Sequence, residues 1–237
     1  MAFRGFSVLA VVPARGGSKG IAGKNIRKIR GLSLVARAAR AIAETSFVDR
    51  AVCSTDDPGI ADEAGRHALA VPELRPAMLA TDEAKSIDVW RHVWLDTERR
   101  DGRSYDLSVL IEPTSPLRRA ADIEATLAAM LDADARAAAT VSPTPAHYTP
   151  QKTLTVGPGG RIGFYLDGGA RFARRQDIPA YYHRNGVCYA ARRDTVVRHG
   201  TIIEDDCIAV VLERPLVNID EPLDLEIAEM LAAREAW

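Results

Sequence analysis

Apolar positions along the chain follow two alternating rhythms. Residues 8–12 (Val-Leu-Ala-Val-Val) form an unbroken apolar run, the mark of a buried strand, and Pro13 stops it. Leu34, Ala38, Ala41 and Ile42 then recur at helical spacing behind Ser33, which predicts a capped helix over 34–45. A second strand is expected at 50–55, and Asp57-Pro58 is the cap-then-proline start of a helix reaching about residue 67. The pattern repeats. Ile87, Trp90, Val93 and Trp94 mark a helix over 86–98, with the tryptophans as core residues, and Leu107, Val109, Leu110 and Ile111 mark a strand over 106–112. A helix at 120–131, strands at 138–141 and 208–212, and a closing helix at 222–233 complete the series. Strand and helix alternating at this spacing predict an α/β fold with a mostly parallel, Rossmann-like sheet and right-handed crossovers. Ligands of such sheets sit beyond the carboxyl ends of the strands.

One stretch breaks the rhythm. Between about 142 and 182, prolines 143, 145, 150 and 158 and glycines 157, 159 and 160 punctuate short extended pieces. This is too long for a simple connection, so residues 143–182 read as an inserted subdomain, with 1–142 and 183–237 forming the main α/β domain.

Composition narrows the class. The chain has 237 residues and a formal net charge of −1, so no global basic field recruits nucleic acid or a membrane. No apolar stretch approaches the ~20 residues of a membrane span. The first residues run directly into the first strand and leave no room for a signal peptide. Cysteines 53, 188 and 207 are widely spaced, with no Cys-x-x-Cys, and read as reduced thiols of a cytoplasmic protein.

The candidate chemistry begins where the first strand ends. The loop carries Gly16, Gly17, Gly20 and Gly23 together with Arg15, Lys19 and Lys24. Glycines let backbone N–H groups close on an anion, and cations in the same loop neutralise a polyphosphate. Two well-known phosphate loops fail on spacing, because both require glycine where Ser18 stands, and the Walker pattern also requires Ser or Thr where Asn25 stands. Lysine usage supports the phosphate reading. The chain has 31 Lys plus Arg but only five lysines, and three of them (19, 24 and 28) fall here. The loop at Ser54-Thr55-Asp56-Asp57 is expected at the same end of the sheet. The Asp pair there invites a second reading, as the metal motif of a glycosyltransferase; the helix cap is favoured, since that reading leaves the loop at 15–24 unexplained.

Ala14-Arg15-Gly16-Gly17-Ser18-Lys19-Gly20-Ile21-Ala22-Gly23-Lys24-Asn25 resembles the signature of the acylneuraminate cytidylyltransferases, the CMP-sialic acid synthetases and their relatives. Arg75-Pro-Ala-Met-Leu-Ala-Thr-Asp82, Glu112-Pro-Thr-Ser-Pro-Leu-Arg118, Arg184-Asn-Gly186 and Asn218-Ile-Asp-Glu-Pro-Leu-Asp224 resemble further blocks of that family, in the family's order. The resemblance implies a CTP-dependent nucleotidyltransferase serving cell-surface polysaccharide synthesis. CMP would pass from CTP to a hydroxyl of an acidic sugar, with release of pyrophosphate. It also implies that the insertion is an arm that interlocks two subunits of a homodimer and completes the sugar pocket.

Carried over position by position, the resemblance assigns the nucleotide to Ala14, Arg15, Gly16, Gly17, Ser18, Lys19, Asn25, Arg75 and Ser86. Glu112, Thr114, Ser115 and Asn185 go to the acceptor, and Lys152 and Arg175 to its acid group. Arg171 and Arg174 read as a solvated basic run. Arg15, Lys24 and Asp220 are the expected catalytic residues, with Arg15, Lys19 and Lys24 stabilising the triphosphate and the leaving pyrophosphate. Mg²⁺ is the implied cofactor. Where family members often show two aspartates two residues apart, this chain has Asn218 and Asp220, so Asp220 is the main expected ligand and Asn218 a weaker one. On an extended segment both face the same side. Asp220 also reads as a helix cap ahead of Pro222. Glu112 stands where many sialic acid enzymes carry Gln, and His183 where a common block has Arg. With Asn218, these departures leave the acceptor open among sialic, legionaminic, pseudaminic and Kdo-type acids or a small non-sugar acid such as a phosphonate. A nucleotidyltransferase using another nucleotide, and a catalytically inactive nucleotide-binding scaffold, are the rival readings.

Overall fold

Every residue from Val8 to Val12 is shielded from solvent in the computed structural model, and the apolar run lies in the interior of a six-stranded sheet. The structure describes residues 2–18, 20–171, 174–203 and 206–234, with residues 170 and 175 described by their backbone alone. Strand β1 (Val8–Pro13) is followed by a small ribbon of β2 (Lys28–Ile29) and β3 (Leu32–Ser33), then by helix α1 (Leu34–Ala43). Strand β4 (Arg50–Ser54), helices α2 (Pro58–Arg66) and α3 (Ser86–Asp101), strand β5 (Leu107–Leu110) and helix α4 (Ala120–Asp132) come next. Strand β6 (Ala137–Pro143) leads into the insertion, which carries a hairpin of β7 (Leu154–Val156) and β8 (Ile162–Phe164). The chain returns through β9 (Tyr182–Arg192) and closes with β10 (Cys207–Val211) and α5 (Pro222–Arg234).

The sheet order is β10-β6-β9-β5-β1-β4. β1 pairs in parallel with β4 and β5, with Ala10 opposite Ala51 and Val109, and β10 runs parallel to β6. β9 is antiparallel to both its neighbours. Its direction follows from connectivity, because β6 passes through the insertion to an adjacent strand without a crossover helix.

Alternation along β1 divides the core between the two faces. Val8, Ala10 and Val12 meet Val35, Ala38 and Ile42 of α1 and Ile123 and Leu127 of α4. Leu9 and Val11 point the other way, onto Trp90, Val93 and Trp94 of α3. Both tryptophans are fully buried, as core residues should be, and Trp90 donates its indole N–H to Ser108 Oγ (2.8 Å). Burying a side chain such as Leu127 contributes about 1.5–3 kcal/mol. The predicted caps are in place: Ser33 Oγ accepts from Ala36 N (3.0 Å), and Asp57 Oδ1 accepts from Ile60 N (2.9 Å). Helix α3 runs three residues past the expected end at 98, held by the ion pairs of Asp96 with Arg99 and Arg100, and stops at Gly102 in the left-handed region (φ +64). The carboxyl ends of β1, β4 and β5 lie at one edge of the sheet, where α5 and the segment before it pack through Ile219, Ala228 and Ala232 onto Leu34 and Leu117.

Candidate functional site

A cavity of about 470 Å³ opens at this edge. Its wall comes from four pieces of chain, namely the loop after β1, the segment 75–89, the turn after β5 and the segment before α5. Arg15, Ser18, Lys24, Asn25, Arg75, Ser86, Glu112, Thr114, Asn218 and Asp220 all line it, so one cavity gathers most of the residues picked out from the sequence. Lys19 lies outside the described residues.

The loop after β1 is held from beneath. Ala14 N donates to the Ser54 carbonyl (2.9 Å), Gly16 N to Asp56 Oδ1 (2.9 Å), and the buried Asn25 amide to the Arg15 carbonyl (2.9 Å). A Cβ on Gly16 would stand 2.8 Å from that of Asp57, and one on Gly20 would collide with the Asp220 carbonyl. These glycines serve close approach of backbone segments rather than only an anion cradle. Ala14, Gly16 and Gly17 are not on the cavity wall, and the Gly16 amide is already spent on Asp56. Of the paired acids, Asp57 is the helix cap and Asp56 the anchor of the loop.

Arg15 and Lys24 enter the cavity, each on an acidic partner. Arg15 Nη2 pairs with Asp82 Oδ1 (2.8 Å), and Nη1 donates to the Thr81 carbonyl (3.0 Å). Lys24 Nζ donates to the Ile219 carbonyl (2.7 Å) and to Asp220 Oδ1 (3.0 Å). Half-exposed pairs of this kind hold with about 0–1 kcal/mol and are readily exchanged for a more highly charged anion. Arg75 differs. It is buried, its Nε donates to Ser54 Oγ (3.0 Å), and burial lowers its pKa, so it joins β4 to the cavity floor as well as lining it.

Ile219 is fully buried and donates its N–H to the Thr114 carbonyl (2.8 Å), which turns both neighbours, Asn218 and Asp220, to the cavity. Asn218 Oδ1 is buried without a hydrogen-bond partner. The Asp220 side chain is 73 % exposed, and its backbone N–H is held by Asp224 Oδ2 (2.8 Å). The helix-start role anticipated for Asp220 thus falls to Asp224, which also accepts from Glu221 N (2.7 Å). Two oxygen donors on one wall, one orphaned and one anionic, suit a hard cation. Among the described residues no group of three or more His, Cys, Asp and Glu forms a metal cluster.

A second cavity of about 600 Å³ adjoins the first, sharing Asp82, Ala84, Ser86 and Glu112 and adding Lys85, Arg184 and Tyr189. Glu112 thus stands at the seam. Burial pushes its carboxyl above the ordinary glutamate range, against the pull of the Arg118 and Arg184 guanidiniums. Arg118 is itself buried, its pKa pushed down to about 10, and clamps the Glu112, Gly186 and Val187 carbonyls.

Three expected acceptor residues lie elsewhere. Ser115 is buried with its hydroxyl on the Asn185 carbonyl (2.5 Å). Asn185 closes an irregularity between β6 and β9: its Oδ1 accepts from Thr140 Oγ1 (2.7 Å) and Val187 N (3.1 Å), and its Nδ2 donates to Ser142 (3.1 Å). Lys152 is in the insertion and on neither wall, and the Arg175 side chain is outside the described residues. Asp82, Lys85, Arg184 and Tyr189 were not singled out. The sequence signals for Asp82 and Arg184 were their places in motif blocks already recognised.

A family model described as cytidylyltransferase matches residues 9–205. The chain is 29 % identical over 225 residues to post-translational flagellin modification protein B of Campylobacter coli, covering 94 % of each chain. It is 28 % identical over 232 residues to the CMP-N,N'-diacetyllegionaminic acid synthase of Legionella pneumophila, covering 94 % of this chain and 95 % of the other. Among solved structures, a CMP:2-keto-3-deoxy-manno-octonic acid synthetase complexed with CTP superposes with a TM-score of 0.71 at 20 % identity, covering 97 % of this chain and 99 % of the other.

Proposed function

The chain belongs to the cytidylyltransferase family, and from that premise we propose that it transfers CMP from CTP to a hydroxyl of an acidic sugar, releasing pyrophosphate. The observation that carries the reading is the pair of adjoining cavities: one presents Arg15 and Lys24 for a triphosphate, and the other presents cations for an acid. Curated relatives matched over 94 % of the chain include synthases of CMP-legionaminic acid and pseudaminic acid cytidylyltransferases, which supports a sugar acid over a phosphonate or an inactive scaffold.

In this mechanism the hydroxyl oxygen bonds to the α-phosphorus while the bond from that phosphorus to the oxygen bridging the β-phosphate breaks; pyrophosphate leaves with the bridging oxygen and the hydroxyl proton passes to water. Arg15 and Lys24 exchange Asp82 and Asp220 for phosphate oxygens and take up the charge that develops on pyrophosphate. Ser86 and Arg75 border the nucleoside end. Asp220 and Asn218 would hold Mg²⁺, supported by the orphaned Asn218 oxygen, and the ion when bound supplies charge neutralisation at the phosphates. The test is pyrophosphate release with Mg²⁺ and a panel of sugar acids. Release is expected with CTP but not with ATP, GTP or UTP, and only when an acid is present. Silence with every sugar acid, while a phosphonate works, would sink the acceptor reading.

The arm belongs to the same proposal. Its β7–β8 hairpin exposes Leu154, Val156, Ile162 and Phe164, from 47 to 75 % each, an apolar surface suited to covering by a second copy. Sedimentation at the dimer mass is the expected result, and Val156→Asp with Ile162→Asp should give monomer. A cytoplasmic location fits the free thiols of Cys53, Cys188 and Cys207. No helix among the described residues is long and apolar enough to cross a membrane.

A further inference from the structure

Strand β9 begins with residues whose side chains alternate between two environments. His183 meets Thr144 Oγ1 through its Nδ1 (3.1 Å), whereas the next residue, Arg184, is on the wall of the second cavity. Among the described residues the Arg184 guanidinium makes no hydrogen bond or ion pair, and neither does the Glu112 carboxylate on the same wall. The two groups are close enough to feel each other's charge, and Tyr189 feels both. A half-buried carboxyl and an exposed cation that share a cavity without pairing leave the guanidinium open to an anionic ligand.

We propose that Arg184 binds the carboxylate of the acceptor and, with Glu112 beside it, fixes which way round the acceptor enters. This rests on the acceptor being an acid, as read above. A carboxylate is drawn to the planar guanidinium, which can grip both its oxygens, and is repelled from Glu112. The hydroxyls of the same molecule are donors, and Glu112 is the acceptor that meets them. Because Glu112 lines both cavities, a hydroxyl bound to it stands at the seam, on the side of the cavity proposed for the nucleotide. The reverse orientation sets carboxylate against carboxylate and leaves Arg184 bare. Lys85, on the same wall, adds charge but not a bidentate grip. This assignment differs from the expectation that gave the acid group to Lys152 and Arg175.

The test compares the sugar acid that the protein uses with its methyl ester, in the wild type, Arg184→Ala, Arg184→Lys and Lys152→Ala. For the acid, Arg184→Ala should raise the acceptor KM about 10–100-fold, the usual weight of a charge-assisted pair, with the KM for CTP within twofold. The wild type should lose a similar factor on the ester, and Arg184→Ala should lose nothing further there. Arg184→Lys should recover part of the affinity for the acid. An unchanged CTP-induced rise in melting temperature shows that each variant is folded. Equal losses on acid and ester, no loss at all, or a carboxylate-selective loss at Lys152 instead would overturn the proposal. If the wild type uses no acid, the proposed function fails and this inference with it; if the wild type is active and only the selective loss is missing, this inference alone fails.

Discussion

Replacing Asp220 by alanine is expected to lower the turnover of CMP transfer about 10³-fold, roughly 4 kcal/mol of barrier, while CTP still raises the melting temperature. The variant should fold, because the side chain contributes little to holding its own segment. That segment is fixed by Ile219 in the core and by Asp224, which accepts from the Asp220 backbone N–H. What disappears is the anionic oxygen of the pair formed with Asn218. Asn218 offers a carbonyl oxygen without charge, so it cannot replace the loss. Asp220→Asn keeps size and shape and removes only the charge; its activity should fall between the two, and its half-saturating Mg²⁺ concentration should rise. Turnover of Asp220→Ala within tenfold of the wild type would mean that the segment 218–220 is not where a metal acts. The second readout separates a metal role from a purely packing one, since a packing defect would lower the melting temperature without moving the Mg²⁺ dependence.

The sheet was legible in the sequence because its signals are local. A continuous apolar run, a helical repeat and a cap such as Ser33 each declare themselves within ten residues. The segment 218–220 was legible for the same reason: alternation alone sets Asn218 and Asp220 on one side, and the buried Ile219 between them bears that out. What could not be read were the consequences of non-local contact. Nothing near Asn185 announces that Thr140 and Ser142, more than forty residues earlier, would occupy its amide at a strand irregularity. Nothing near Gly16 announces Asp56. Arg184 stands in a motif block, but the block does not say what its side chain faces, and only the placement of β9 beside β6 brings it to a cavity wall. A motif predicts which residues matter more reliably than it predicts what each side chain touches, because the touching partner comes from elsewhere in the fold.

Lys24→Ala should weaken the nucleotide itself, in contrast to Asp220→Ala. The lysine is the less exposed member of its pair, 14 % against 73 % for Asp220, and it reaches the cavity from a tight turn begun by Gly23 in the left-handed region (φ +61). Its Nζ bridges the Ile219 carbonyl and Asp220 Oδ1, so it also ties the loop after β1 to the segment before α5. Loss of the ammonium removes a point charge from a confined site where the triphosphate and departing pyrophosphate carry their negative charge. Such a loss in a preorganised site costs about 10²–10³-fold. It should show as a fall of that size in kcat/KM for CTP and as a smaller rise of melting temperature at a fixed CTP concentration. Lys24→Arg keeps the charge but needs room for a planar fork where a compact ammonium fits between two oxygens, so it should regain only part of the activity. If Lys24→Ala binds CTP as the wild type does and loses turnover alone, Lys24 acts by holding Asp220 in place rather than by meeting phosphate. The triphosphate would then be assigned to Arg15 and the rest of the loop.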